Sequence, residues 1–156
     1  METKLARDGQ AWIYDWVLQK TGRAIQFQGD LHGWLPPTVR QHDMISKQIG
    51  LGALRLETLA QEELAAGHPQ TALELFYEAS GTYANAQHPI LETTEEKRLL
   101  HGACVRCFDE AAKLAPYPVE RVAIPFDGGS AHANLHLLPG SEPAPCVIFI
   151  PGCDMT

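Results

Sequence analysis

Between Lys47 and Leu114 the apolar positions recur at helical spacing, and after Pro118 they alternate. Ala72, Phe76, Ala79, Tyr83 and Ala86 stand at i, i+4, i+7, i+11 and i+14. That spacing predicts one continuous buried stripe, and small residues among its aromatic ones let a neighbouring helix come close. Before it, Ser46 is a candidate cap for a helix to about Ala66, with Ile49, Leu56, Leu59 and Leu64 turned inward. Gly67-His-Pro69 separates the two helices, since Gly suits the left-handed position after a helix and Pro the first turn of the next. His88-Pro89 closes the second helix. Thr93-x-x-Glu96 fits a capping box that opens a third, running to about Leu114 with Leu100, Ala103, Cys104, Cys107, Phe108 and Ala111 inward. Upstream, Gly9 to Gln19 places Trp12, Ile13, Trp16 and Val17 on one side of a helix, and Gly29 to Pro37 reads as irregular.

Pro116-Tyr-Pro118 ends the helical pattern. Val122, Ile124 and Phe126 then share one side of a strand, Asp127-Gly-Gly129 makes a turn, and Ala131, Ala133, Leu135 and Leu137 share one side of a returning strand. Leu138 to Pro145 connects this hairpin to Cys146-Val-Ile-Phe-Ile-Pro151, which reads as a strand buried on both faces. Gly152-Cys-Asp-Met-Thr156 follows at the end where α/β sheets form their sites. The fold class expected is α+β, with helices in residues 1–116 and strands in residues 117–156. A central strand needs neighbours on both sides, so the chain is expected to be the front part of a larger enzyme.

Composition removes several function classes. A net charge of −7, with basic residues scattered, argues against nucleic acid as a partner. No stretch approaches the roughly 20 apolar residues of a membrane span. Met1 to Asp8 has no apolar secretory region. Four cysteines in such a chain read as reduced thiols, and the compartment expected is the cytoplasm.

His101, Cys104 and Cys107 invite a metal or redox reading, but they trace the inward stripe of the third helix. A thioredoxin-like motif needs a preceding strand and a helix amino terminus, and structural zinc wants a fourth ligand. Core packing is the preferred reading, with no metal and no cofactor expected. Trp12, Tyr14 and Trp16 likewise read as packing. Trp34, between Gly33 and Pro36-Pro37, is a candidate substrate-binding residue because binding residues concentrate in irregular segments. His132 and His136 fall opposite Leu135 and Leu137 and read as exposed.

Three stretches carry a family resemblance: Val119-Glu-Arg-Val-Ala-Ile-Pro-Phe126, Asn134-Leu-His-Leu-Leu-Pro139 and Pro145-Cys-Val-Ile-Phe-Ile-Pro-Gly-Cys-Asp154. Together they resemble the opening of α/β-hydrolases. They are most similar to the group holding 2,6-dihydropseudooxynicotine hydrolase, the fungal polyketide chain-shortening hydrolases and the fermentation–respiration switch esterase-like proteins. In that group a helical amino-terminal domain precedes the sheet, and Ala66-Gly67 with Ala72, Phe76, Ala79 and Tyr83 fits its helical pair. The resemblance implies a helical cap domain followed by the first strands of an α/β-hydrolase sheet. It implies cleavage of a carbon–carbon bond beside a ketone, or of an ester, by a Ser–His–Asp triad.

The Gly-x-Ser-x-Gly elbow that would hold the nucleophile is absent from these 156 residues. What the resemblance does carry over is the loop after the third strand, whose backbone N–H forms half of an oxyanion hole. By position Cys153 is the candidate donor, with Asp154 as the alternative. The expected partner is a small aromatic or acyl substrate, and the apolar strand Cys146 to Ile150 points to self-association through an unpaired edge. An alternative reading is a tetratricopeptide-like interaction module built on the Lys47–Gln87 helical pair. Such arrays need about three repeats, and the flanking helices do not repeat the pattern.

Overall fold

The computed structural model describes residues 39–41, 44–90, 92–140 and 145–150. The fold is α+β: α1 (Ile45–Ala65), α2 (Pro69–Gln87) and α3 (Glu95–Leu114) precede β1 (Val119–Phe126) and β2 (Gly129–His136). The segment Gly9 to Gln19, read as a helix, lies outside the described residues.

The middle helix, α2, packs against both α1 and α3. Its stripe is buried as the spacing predicts, with Ala72, Ala79 and Ala86 fully enclosed and Phe76 and Tyr83 nearly so. Ala53 and Ala60 of α1 and Ala103, Cys107 and Ala111 of α3 meet it. A core this rich in Ala brings helix backbones close, and Phe76 and Tyr83 fill the volume left between them. Gly50 marks a further close approach, since a Cβ there would come within 3.2 Å of Leu100 Cδ2.

The same close approach corrects the expected face of α1. Leu59 and Leu64 are 43% and 38% exposed, while Ala53, Glu57 and Ala60 face inward. A Leu at those inward positions would hold α1 away from α2, so the helix presents its small residues and turns Leu59 and Leu64 outward, while Leu56 packs against the core as expected. Ser46 is not the cap either: the helix starts at Ile45 after Met44, with no side-chain cap, and Ser46 is buried in its first turn. The cap of α3 falls one residue later than expected. Thr94 is extended, and its Oγ1 accepts from Lys97 N at 3.1 Å. The Lys97 ammonium turns back to donate to the Ile90 carbonyl at 2.8 Å, tying the α2–α3 connection to the new helix. Gly67 adopts φ +83° as expected, and the Gly67 and His68 amides donate to the Leu64 and Glu63 carbonyls.

The hairpin pairs Val122 with Ala133 and Ile124 with Ala131, so both apolar sets share one face. Asp127 and Gly128 carry positive φ at the turn, the geometry of a two-residue hairpin loop. The apolar face is open, with Ile124 54% and Phe126 62% exposed. The opposite face touches α3 and the segment after it at isolated points: Arg121 Nη2 donates to Asp109 Oδ1 at 2.9 Å, and the His136 ring lies 6.5 Å from Phe108 and 5.7 Å from Tyr117. Residues 145–150, expected as a strand buried on both faces, form no ladder, and Val147 is 92% exposed. A strand exists through its neighbours, and among the described residues none runs beside it.

The corrected face of α1 gives a direct test by urea unfolding. Ala60→Leu, on the inward face of α1, should cost about 1–3 kcal/mol through overpacking, whereas Leu59→Ala should change stability by less than about 0.5 kcal/mol.

Candidate functional site

Glu57 sits where all three helices meet, its side chain 7% exposed. It lies between Ala53 and Ala60 on the inward face of α1 because helical spacing puts i−4, i and i+3 in one line. Across the interface, α3 supplies Arg106, whose Nε donates to Glu57 Oε1 at 2.9 Å and whose Nη2 donates to Oε2 at 3.1 Å. From α2 the Tyr83 hydroxyl donates to Oε2 at 2.8 Å. Each carboxylate oxygen therefore has a donor, which is the condition for burying a charge. One turn away, Ser80 Oγ donates to the Cys104 carbonyl at 2.9 Å, a second polar link between α2 and α3.

The electrostatics follow from this geometry. Burial pushes the Glu57 carboxyl up, but the Arg106 hydrogen bonds and charge, with the Tyr83 hydroxyl and Cys107 thiol, hold it below its ordinary value. Burial, and then the Glu57 carboxylate, push the Tyr83 phenol up. The Glu57 hydrogen bond raises Arg106 despite partial desolvation. Burial beside the same carboxylate pushes the Cys107 thiol up to about 12, so it stays protonated and is a poor nucleophile or metal ligand. The group is a fixed ion pair, with no acid or base left to exchange protons near neutrality. Next to it a cavity of about 400 Å³ opens between the helices, lined by Glu57, Gln61, Leu64, Ala65, Phe76, Arg106 and Glu110.

The residues proposed from sequence fare differently. Cys153, Asp154 and Trp34 all lie outside the described residues. Cys104 and Cys107 pack in the core, but His101 is exposed, which corrects its place on the inward stripe. The helix turns His101 away from the two thiols, and among the described residues no group of His, Cys, Asp and Glu could hold a metal ion. His132 and His136 are exposed, as read. No helix among the described residues is long and apolar enough to cross a membrane. Sequence reading missed Glu57 and Arg106. Their signal was a carboxylate flanked at i−4 and i+3 by alanines, a polar residue inside a small-residue stripe.

Glu57 makes acid stability predictable in sign. Its folded pKa is depressed from 4.5, so its contribution is fully present above about pH 4.5 and is lost as pH falls through the folded value. Glu57→Gln should flatten the acid limb of a stability–pH profile measured by urea unfolding. Arg106→Met should destabilise by about 2 kcal/mol near neutrality, less than a fully buried pair because the guanidinium is half-exposed. In that variant burial acts without the guanidinium, so acidification toward pH 4.5 should cost less stability than in the parent.

Comparison with known proteins places this arrangement in a family. A family model described as Esterase FrsA-like matches residues 55–156, from the middle of α1 through the hairpin and beyond. Esterase FrsA from Yersinia pestis (strain Pestoides F) is 31% identical over 96 residues, covering 60% of this chain and 23% of the relative. Esterase FrsA from Yersinia pseudotuberculosis serotype O:1b (strain IP 31758) is similar to the same extent, 31% over 96 residues. The chain covers only 23% of the length of either relative. The second half of α1, the helices α2 and α3, the hairpin and the apolar segment after it fall within the matched stretch, and the chain belongs to the FrsA-like esterase family.

Proposed function

We propose that this chain serves a serine hydrolase of the α/β-hydrolase type, acting on an ester or on a carbon–carbon bond beside a ketone. The observation that carries the proposal is the family match over residues 55–156, which runs continuously from the helical layer into the strand section. In this reading residues 1–116 form a cap over the catalytic face, and residues 117–156 supply the first strands. The bend at residues 115–117, between the end of α3 and the start of β1, supports a boundary there. The cap would exclude water until an aromatic or acyl substrate is placed, with Trp34 among its contacts.

The chemistry assigned to these residues is electrostatic. A backbone N–H at Cys153, or at Asp154, would stabilise the negative charge that develops on the substrate carbonyl oxygen. Losing one such donor costs roughly 3 kcal/mol of barrier. Nucleophile, base and orienting acid would come from elsewhere in the enzyme. The exposed run Val147 to Ile150 supports a second proposal, self-association of residues 1–156 through this segment. A dilution-stable monomer in sedimentation would refute it.

Esterase turnover tests the oxyanion role. Residues 1–156 alone should show no hydrolysis above buffer, since covalent acyl chemistry has no nucleophile to begin it. In an enzyme of the length of the Yersinia relatives, Cys153→Ala should leave kcat within a few-fold because the N–H remains. Cys153→Pro should lower it by about 100-fold or more. Abolition by Cys153→Ala in a folded protein would instead assign the role to the thiol.

A further inference from the structure

We infer that the cavity between α1, α2 and α3 is a binding site for a small monocarboxylate with an apolar body, held through the outer edge of Arg106. The cavity of about 400 Å³ is near the lower end of the usual range for small-molecule sites, roughly 300–1,000 Å³. Leu64, Ala65 and Phe76 form its apolar walls, and Gln61 supplies a neutral amide at its rim. Such walls suit an alkyl or aryl group. They leave the choice of polar head to the charged residues.

Those residues favour an anion. Glu57 is buried and already accepts three hydrogen bonds, from Arg106 and from Tyr83, so its charge is largely met from within the protein. Glu110, the other carboxylate on the lining, is paired with Lys113 Nζ at 2.6 Å. Arg106 uses Nε and Nη2 on Glu57, and its Nη1 has no partner among the described residues. Its side chain is 56% exposed beside the cavity. A guanidinium bound side-on to one carboxylate keeps its far edge free, with N–H groups spaced to meet a second carboxylate. Glu57 holds that edge in place, which lowers the entropy cost of using it. The cleft at the start of α3, lined by Thr94, Glu95, Glu96, Leu99 and Leu100, is the natural contrast. It has an apolar floor but carboxylates and no cation on its lining. The proposed site is independent of the hydrolytic chemistry assigned to Cys153.

The test is an NMR titration of the 156-residue chain at pH 7 with octanoate, octanol and octylamine as probes. Octanoate should give saturable shifts at Leu64, Ala65, Phe76 and the Arg106 Nε–H, with at least tenfold tighter binding than either neutral or cationic probe. Ala65→Phe, at an exposed position on the lining, should weaken octanoate at least tenfold without moving the thermal midpoint. Arg106→Lys should also weaken it at least tenfold, because one ammonium cannot serve Glu57 and a second carboxylate in a plane. Equal binding of octanol, tighter binding of octylamine, or shifts centred on Leu99 and Leu100 would each overturn the assignment. So would undiminished octanoate binding in Ala65→Phe.

Discussion

The Glu57 carboxylate is the constraint around which the helical layer is arranged. A charge taken out of water costs several kcal/mol unless its oxygens are met by well-placed donors. Here the donors come from two other helices, Tyr83 from α2 and Arg106 from α3. Meeting them fixes the rotation of α1, and that rotation sends Ala53 and Ala60 inward and Leu59 outward. The alanine-rich core and the buried charge are therefore two sides of one requirement. Close helices bring the donors within reach, and the donors permit the carboxylate to remain between close helices. Apolar residues of similar volume could stabilise the layer equally well, but they would fix no particular rotation of α1.

In this chain the helical layer comes first, and the hairpin follows it directly. The hairpin's two faces have opposite characters. Its polar face touches α3 through Arg121 and His136, while Ile124 and Phe126 are exposed on the other face. The hydrophobic side of the hairpin is thus separate from the interior that the helices share. The exposed segment Val147 to Ile150 has the same character.

Much of this was legible in the sequence because it rests on local periodicity. The Ala72–Ala86 stripe and the Gly67-His-Pro69 break follow from helical spacing and backbone preference alone. The shared face of Val122, Ile124, Ala131 and Ala133 follows from strand alternation and a two-residue turn. On α1 hydrophobicity alone points Leu59 and Leu64 inward along with Leu56, but the small Ala53 and Ala60 are what permit the observed approach to α2. Thr93 and Thr94 compete for the same cap, and the choice was made by Lys97 reaching back to Ile90, a contact that spacing rules do not contain. The Glu57–Arg106 pair spans 49 positions, so no local pattern could announce it. The oxyanion candidates Cys153 and Asp154 came from resemblance alone.

The attachment of the hairpin to α3 has a mechanical consequence. Arg121 and Asp109 are 50% and 46% exposed, and an ion pair so open to water is worth about 0–1 kcal/mol and fades as salt is added. The ring contacts of His136 with Phe108 and Tyr117 add only modestly to it. By contrast, the three helices share a continuous interior. The joint between helices and hairpin is thus held more weakly than the helices are to one another, and ionic strength acts on it. Raising salt weakens this joint more than the Glu57–Arg106 link, whose carboxylate is buried between the helices and screened less.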